Sequence, residues 1–247
     1  MNGTTIVVPF YNEAKRLDAP SFTDFLARDP DARLVLVDDG STDDTRKLLE
    51  AFAAEHPGRA EVLPLGTNRG KAEAVRLGML RAFDGEPRYA GFWDGDLSTP
   101  LEQVAPFRAV LESRPSRAGS PGARVQLLGR EIHRSPLRHY MGRLAATAIA
   151  QVLRIRVYDT QCGAKLLRGG VDSAALFAEP FLTRWLFDVE LIARLGQRRE
   201  STGGAAYAIY ELPLPAWRDV PGSKVKAKDY LRGIGDLARI AVRYGLR

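Results

Sequence analysis

The first hundred residues alternate short apolar runs with helix-like segments, and this rhythm points to βα units on a mostly parallel sheet. Thr4 to Pro9 (TTIVVP) reads as the first strand, Leu34 to Val37 (LVLV) as the second, a weaker run at Val62-Leu63 as the third, and Ala90 to Trp93 as the fourth. Between them, Asp43 to Glu55, with Leu48, Leu49 and Phe52 along one face, and Gly70 to Phe83 read as amphipathic helices. The expected fold class is therefore α/β, a mostly parallel central sheet flanked by helices. Ligands of such open sheets bind outside the carboxyl ends of the strands. The polar motifs fall there.

Pro9-Phe10-Tyr11-Asn12-Glu13 follows the first strand. Pro9 ends the ladder, Tyr11 offers a ring on which a base can stack, and Asn12 and Glu13 offer hydrogen bonds. Standing alone, the motif would read more readily as a capped loop entering a helix. After the second strand, Ser41 or Thr42 is expected to cap the next helix, with Asp43 and Asp44 in its first turn. Asp38 and Asp39 are adjacent carboxylates that repel each other unless something binds them. Asn68-Arg69-Gly70-Lys71 opens the next helix, where backbone N–H groups beside two cations suit an anion. It is neither a Walker A loop nor a GxGxxG fingerprint. Asp94-Gly95-Asp96 follows the fourth strand. On an extended backbone, residues i and i+2 share a face, so both carboxylates could hold one hard cation, with Gly95 leaving room for a bulky anionic ligand. A lone Asp-x-Asp is more often a solvated turn, and its three companion motifs change that weighting.

The succession PFYNE, LVLVDDGSTDDT, NRGKAEAV and WDGDLSTP, in this order, resembles the family 2 glycosyltransferases of GT-A fold, with its Rossmann-like sheet. Within them it is most similar to the polyprenyl-phosphate sugar synthases, of the dolichyl-phosphate β-glucosyltransferase type, beside the dolichyl-phosphate mannose synthases. The resemblance implies that Pro9, Tyr11, Glu13 and Asp39 hold the nucleotide base and ribose and that Lys71 sits near the nucleotide. It implies that Asp94 and Asp96, flanking Gly95, bind Mg²⁺ or Mn²⁺ on the donor diphosphate. Such an ion neutralises charge developing on the leaving group. Relatives commonly carry Ala at the position of Gly95, a mild departure.

A helix is expected from Leu101 to Leu111, then a Pro/Gly/Ser-rich surface loop, Arg114 to Gly122, then a strand, Val125 to Gly129. That strand runs into Arg130, near which many relatives have Gly-Ser-Arg. The resemblance gives Arg130 to the acceptor, while the residues alone fit a surface arginine as well. His133 to Arg156 mixes arginines with aliphatics at helical spacing, one face for the core and a basic face for phosphates or a membrane surface. Tyr158 to Lys165 (YDTQCGAK) matches the DTQCG segment of the glucosyl-phosphate lipid synthases, which implies Asp159 and Gln161 near the sugar or acceptor. Cys162 reads as a small buried residue rather than a nucleophile. Asp188 and Glu190 open a helix, where i and i+2 point about 200° apart, so one faces the site. The resemblance favours Asp188, and a structural role at the helix start also fits. Ile209 to Leu214, with Pro213, reads as an edge strand. Gly222-Ser223-Lys224 is a turn that the family places over donor phosphates or acceptor.

The expected organisation is a catalytic domain over residues 1–221, with a nucleotide-sugar half (1–100) and an acceptor half (101–221), followed by a basic amphipathic helix over 222–247. In that tail Leu231, Ile234, Leu237, Ala238 and Ala241 form a stripe that suits either a membrane surface or docking back on the domain.

The formal net charge of +6 favours anionic partners, yet the basic residues interleave with aliphatics rather than aromatics and no nucleic-acid motif occurs. One cysteine and three unclustered histidines exclude a disulfide framework and argue against zinc chemistry. No apolar run reaches the roughly 20 residues that span a bilayer. Met1 to Thr5 shows no signal-like core, so a cytoplasmic protein is expected, with peripheral contact to the cytoplasmic membrane face through the tail. The reaction implied is inverting transfer of glucose from UDP-glucose to a polyprenyl phosphate in one displacement, with GDP-mannose as donor or a soluble acceptor as alternatives. Asp96, Asp188 and Asp159 would carry the chemistry. A phosphate acceptor, with its second pKa near about 6, needs no general base, whereas a hydroxyl would call on Asp188, Glu190 or Asp159.

Overall fold

The computed structural model describes residues 2–125, 131–133, 136–153, 157–198, 208–218 and 227–245. β1 (Asn2–Phe10) is the axis of the sheet, apolar on both faces because Ile6, Val7 and Val8 are all fully buried. It pairs in parallel with β2 (Arg33–Asp38) and β4 (Pro87–Trp93), and β2 pairs in parallel with β3 (Ala60–Pro64). β7 (Ala164–Arg168) runs antiparallel to β4 and to β5 (Gly119–Ala123), giving the order β3-β2-β1-β4-β7-β5-β8 with β8 (Leu212–Pro213) at the edge. β6 (Glu131–His133) and β9 (Ala216–Arg218) make a separate pair. The direction change at β7 matters for function. Ala164 stands opposite Trp93, so the chain enters β7 at the edge where β1 to β4 end.

Alternate residues of the strands face different layers. Ile6, Val8, Leu34, Leu36 and Trp93 join Phe22, Phe25 and Leu26 of α1 (Ala19–Arg28), Phe52 of α2 (Thr45–Glu55) and Phe107 of α4 (Val104–Ser113). Val7, Val35, Val37 and Phe92 join Val75 and Met79 of α3 (Lys71–Asp84) and Phe187, Leu191 and Leu195 of α7 (Phe187–Arg198). A third cluster links Ile149 and Leu153 of α5 (Pro136–Leu153), Val189 and Ile192 of α7, and Ile240 of α8 (Ala227–Arg243). A short α6 (Val171–Ala174) follows β7.

Several expectations need correction. The helix α1 was not expected, although Asp18 caps it by accepting from the Ser21 amide (3.3 Å) and Pro20 sits in its first turn. Ser41 and Thr42 do not cap α2: the cap position is Asp44, and its side chain makes no capping bond. The small-residue run after α4 is not wholly a surface loop, because Gly119 to Ala123 is β5 and every residue of it is buried. A Cβ on Gly119 would stand 2.5 Å from Leu167 Cδ2, so the small residues serve close approach of β7 rather than flexibility. Val125 belongs to no strand, and the rest of the expected strand lies outside the described residues, as do Arg130 and Lys224.

The expected C-terminal stripe divides in two, with Leu237 turned inward and Ile234 and Ala238 outward, while the side chain of Leu231 lies outside the described residues. Leu237, Ile240 and Tyr244 pack on α5 and α7, and Gly233 meets the Trp185 ring, where a Cβ would stand 2.9 Å from Cζ3. Ile234 (69%) and Val242 (85%) stay exposed beside Ala238. Among the described residues no helix is long and apolar enough to cross a membrane.

Candidate functional site

The loops after β1 and β2 are stitched into one floor at the carboxyl edge of the sheet. The Asn12 amide donates to Ser41 Oγ (3.0 Å), Asn12 Oδ1 accepts from the Thr42 amide (2.8 Å), and the Glu13 amide donates to Thr45 Oγ1 (2.8 Å). Ser41 and Thr42 therefore serve the PFYNE loop instead of a helix cap. Pro9 and Tyr11 are half-buried in this floor, and the Glu13 carboxylate is held by Arg16 through two bonds of 2.6 Å.

The adjacent carboxylates that lacked an explanation both find amide donors. Asp38 Oδ1 accepts from the Ser41 amide (3.1 Å), and Asp39 accepts from the amides of Arg69 (2.7 Å) and Gly70 (2.9 Å). The anion waiting at the entrance to α3 is thus, in part, the chain's own Asp39. Burial raises the Asp39 pKa, while the two amides and the nearby Arg184 charge pull against it.

β4 stops at Trp93, and residues 94–97 form a turn closed by the Leu97 amide on the Asp94 carbonyl (3.0 Å). Asp94 and Asp96 consequently do not share one face of an extended strand, as their spacing suggested. Asp94 Oδ1 pairs with Lys71 Nζ, and Asp96 Oδ1 accepts from the Ser98 amide (3.0 Å) and hydroxyl (2.8 Å), leaving its Oδ2. The two remain in one electrostatic neighbourhood. Burial works against the Lys71 ammonium, but Asp94, Asp188 and Asp96 outweigh it and its pKa rises. Gly95 also has a different reason from the one expected: a Cβ there would stand 2.7 Å from Phe10 Cε1 and 3.1 Å from the Pro9 carbonyl. The space serves the Phe10 ring, not a ligand.

The segment entering β7 meets this turn directly. The Asp94 amide donates to the Gly163 carbonyl (2.9 Å), and the Asp94 carboxylate lies over Gly163, where a Cβ would stand 2.6 Å from Oδ1 and nearer still to Oδ2. Gly163 is a cradle for Asp94. Two residues on, Lys165 is buried and donates to Asp188 Oδ1 (2.5 Å) and the Cys162 carbonyl (2.7 Å). Burial raises the Asp188 pKa, with Lys165 and Lys71 opposing it in part. Cys162 is fully buried, and burial pushes its thiol up, as suits a packing residue.

Asp159 is paired within the fold. Arg124, at the end of β5, grips it with Nε (2.5 Å) and Nη2 (2.8 Å), a buried bidentate pair, and the Gln161 amide adds a bond to Oδ1 (3.2 Å). Burial acts to raise its pKa, but the Arg124 charge and hydrogen bonds dominate and bring it down to about 2. Glu211 fixes the same loop by accepting from the Tyr158 and Asp159 amides, each at 2.8 Å. Gln161 is half-buried beside it. Glu190 turns away from the site, accepting from Leu182 N, Arg194 Nη2 and Tyr244 Oη, each at 2.8 Å. The opposed directions of i and i+2 on α7 thus separate Asp188 from Glu190.

Asp94, Asp96, Lys71, Asp188 and Asp39 are brought to one edge. Lys165, Arg124, Gly163 and Arg184 escaped the sequence reading. The first three lay within or beside recognisable segments, and their signal is long-range pairing that local pattern does not encode. Among the described residues no group of three or more His, Cys, Asp or Glu side chains is arranged to hold a metal. Asp94 and Asp96 supply hard carboxylate oxygens, a donor set that fits Mg²⁺ or Mn²⁺ with the remaining positions left to other oxygen ligands.

Comparison with known proteins supports this architecture. The Glycosyl transferase family 2 profile matches residues 5–171. Dolichyl-phosphate beta-glucosyltransferases of Drosophila melanogaster and Saccharomyces cerevisiae are 31% and 30% identical to it, each over 97% of this chain and 74% of the relative. One from Trichomonas vaginalis is 29% identical over 98% of this chain and 71% of its own. A crystal structure of glucosyl-3-phosphoglycerate synthase from Mycobacterium tuberculosis, in complex with Mn²⁺, uridine diphosphate and phosphoglyceric acid, superposes with a TM-score of 0.65 at 19% identity. It covers 100% of this chain and 80% of the other, so the fold is of the GT-A kind. With four ordered motifs at the carboxyl edge of such a sheet, and a family profile spanning more than half its length, this chain belongs to glycosyl transferase family 2.

Proposed function

We propose that the protein transfers glucose from UDP-glucose to a polyprenyl phosphate of the dolichyl type, with inversion, in a single displacement. The observation that carries this reading is the contact at Asp94: the Asp-Gly-Asp turn of the first half rests on Gly163 of the DTQCG segment in the second. The relatives named dolichyl-phosphate beta-glucosyltransferase support the same donor sugar and acceptor.

Donor binding falls to the carboxyl edge. Tyr11 stacks the base, with Pro9, Glu13 and Asp39 around base and ribose. Asp94 and Asp96 Oδ2 are the chain's ligands for Mg²⁺ or Mn²⁺, which when bound supplies positive charge against that accumulating on the leaving diphosphate. Lys71, kept protonated by its carboxylate neighbours, adds charge at the same place. The acceptor phosphate has a second pKa of about 6 and is ionised at neutral pH, so attack requires no proton removal. This agrees with Asp159 being bound on both oxygens by Arg124 and Asp188 being bound by Lys165. Arg130 and Lys224 are assigned to the acceptor phosphate and Gln161 to the sugar or acceptor.

The exposed face of α8 supports peripheral membrane contact. Ile234, Ala238 and Val242 lie bare with Arg232, Arg239 and Arg243 exposed alongside, and each such cation contributes about 1 kcal/mol at an anionic surface. Such a surface would be the cytoplasmic leaflet.

A phosphorylated soluble acceptor is the second reading, favoured by the likeness to a synthase bound to phosphoglyceric acid. The test is transfer of label from UDP-glucose, with Mn²⁺, to a short polyprenyl phosphate, beside arms with 3-phosphoglyceric acid and with GDP-mannose. Organic-phase product from UDP-glucose is expected. Label reaching phosphoglyceric acid alone, or coming only from GDP-mannose, would overturn the reading.

A further inference from the structure

Arg184 lies in the segment between α6 and α7, far along the chain from the donor motifs, yet its side chain crosses the entrance to α3. A Cβ on Gly70 would stand 2.7 Å from Arg184 Nε and 3.1 Å from Nη2, and Gly70 itself has φ +91°. The left-handed backbone keeps residue 70 a glycine, and the missing side chain leaves the face on which the Arg184 guanidinium lies. The segment that presents Arg184 is anchored on both sides. The Leu182 amide is bound by Glu190 Oε2 (2.8 Å), Trp185 packs against Gly233, and Leu186 is buried in the third cluster.

Arg184 gains nothing from the fold in return. It is exposed, and among the described residues it makes no hydrogen bond or ion pair; its charge is felt by Asp39 without a contact. Asp39 already spends its oxygens on the amides of Arg69 and Gly70. Lys71 follows Gly70 directly, so a lysine and an arginine, with Arg69 also exposed, are held around one glycine at the edge where the donor is proposed to sit. Lys71 is already paired with Asp94, whereas Arg184 has no such partner among the described residues, so an anion with several oxygens arriving at this edge meets an unspent guanidinium. A planar guanidinium suits such a group because it offers paired N–H donors to two oxygens at once.

We infer that Arg184 is a donor-binding residue, its guanidinium reaching across Gly70 to hold the diphosphate of the nucleotide sugar opposite Lys71. This rests on the nucleotide-sugar reading above. It assigns to the acceptor half of the chain a direct hand on the donor, so that the segment before α7 closes the donor site from above.

The test is calorimetric titration of the full chain with UDP, with GDP in parallel, and with uridine, all with Mn²⁺ present, for wild type, Arg184→Gln and Arg184→Lys. Loss of a charge-assisted bond to phosphate predicts at least about a ten-fold weaker UDP affinity in Arg184→Gln. Uridine affinity is expected unchanged, Arg184→Lys intermediate, and the melting temperature without ligand unchanged because the side chain makes no hydrogen bond or ion pair among the described residues. A UDP affinity within two-fold of wild type in Arg184→Gln overturns the assignment. Equal losses for UDP and uridine also overturn it, placing the contact on base or ribose. Wild type that binds neither UDP nor GDP refutes the nucleotide-sugar reading itself, and this assignment with it.

Discussion

Replacing Gly163 by alanine tests the cradle under Asp94 with the smallest possible perturbation. The added methyl would stand 2.6 Å from Asp94 Oδ1 and closer to Oδ2, against an ordinary van der Waals separation of 3.4 Å or more. The carboxylate must therefore swing by more than an ångström, the Oδ2 contact setting the movement, since the Gly163 carbonyl also holds the Asp94 amide and limits backbone escape. Asp94 is part-exposed, so the movement is cheap for folding and its cost falls on geometry. A displacement of about 1 Å in a positioning group costs about a hundred-fold in rate, roughly 2.7 kcal/mol of transition-state stabilisation. The assay is kcat/KM for glucose transfer across a Mn²⁺ series, together with a thermal melt. A hundred-fold loss with a melting temperature near wild type is expected, along with a higher Mn²⁺ requirement. Wild-type kcat/KM in Gly163→Ala would refute the reasoning that Asp94 is placed by this contact.

Asp96→Ala removes only the bonds to Ser98 and should abolish transfer while costing about 1 kcal/mol of stability, checked by activity beside a melt; near-wild-type transfer would sink the metal assignment. Asp159 has its folded pKa depressed to about 2, so its contribution is present above the unfolded value of about 3.9 and lost as pH falls through about 2. Acid titration of stability should show wild type losing about 2.5 kcal/mol over that window, a step that Asp159→Asn lacks; identical acid profiles would contradict it. For the membrane face, Ile234→Glu with Val242→Glu should abolish co-sedimentation with anionic vesicles and leave the melting temperature unchanged, both positions being exposed.

What could be read from the sequence follows a physical divide. β1, β2 and β4 announce themselves because burial on both faces demands unbroken apolar runs, and the polar motifs are legible because a parallel strand delivers its next residues to the same edge. β5 was misread as part of a loop because Gly119, Ser120 and Gly122 look like turn residues, while their smallness answers the closeness of β7. The α1 cap at Asp18 and the spacing of Phe22, Phe25 and Leu26 carry the local signal of that helix. Within the candidate site, the spacing of Asp94 and Asp96 implies an extended backbone, whereas a turn with Leu97 at φ +50° replaces the strand there. The pairings of Asp39 with the α3 amides, Asp159 with Arg124 and Asp188 with Lys165 join residues with no local pattern to announce them.

The contact between Gly95 and the Phe10 ring reaches beyond packing. One residue sits in the loop proposed to receive the base and the other between the two aspartates proposed to hold the metal, and they divide a single volume. Enlarging position 95 to alanine requires a smaller side chain at position 10, and shrinking Phe10 alone opens a void behind the aspartate turn. The two positions should therefore drift as a coupled pair over evolutionary time. Any transplant of one motif from a relative should carry the other with it.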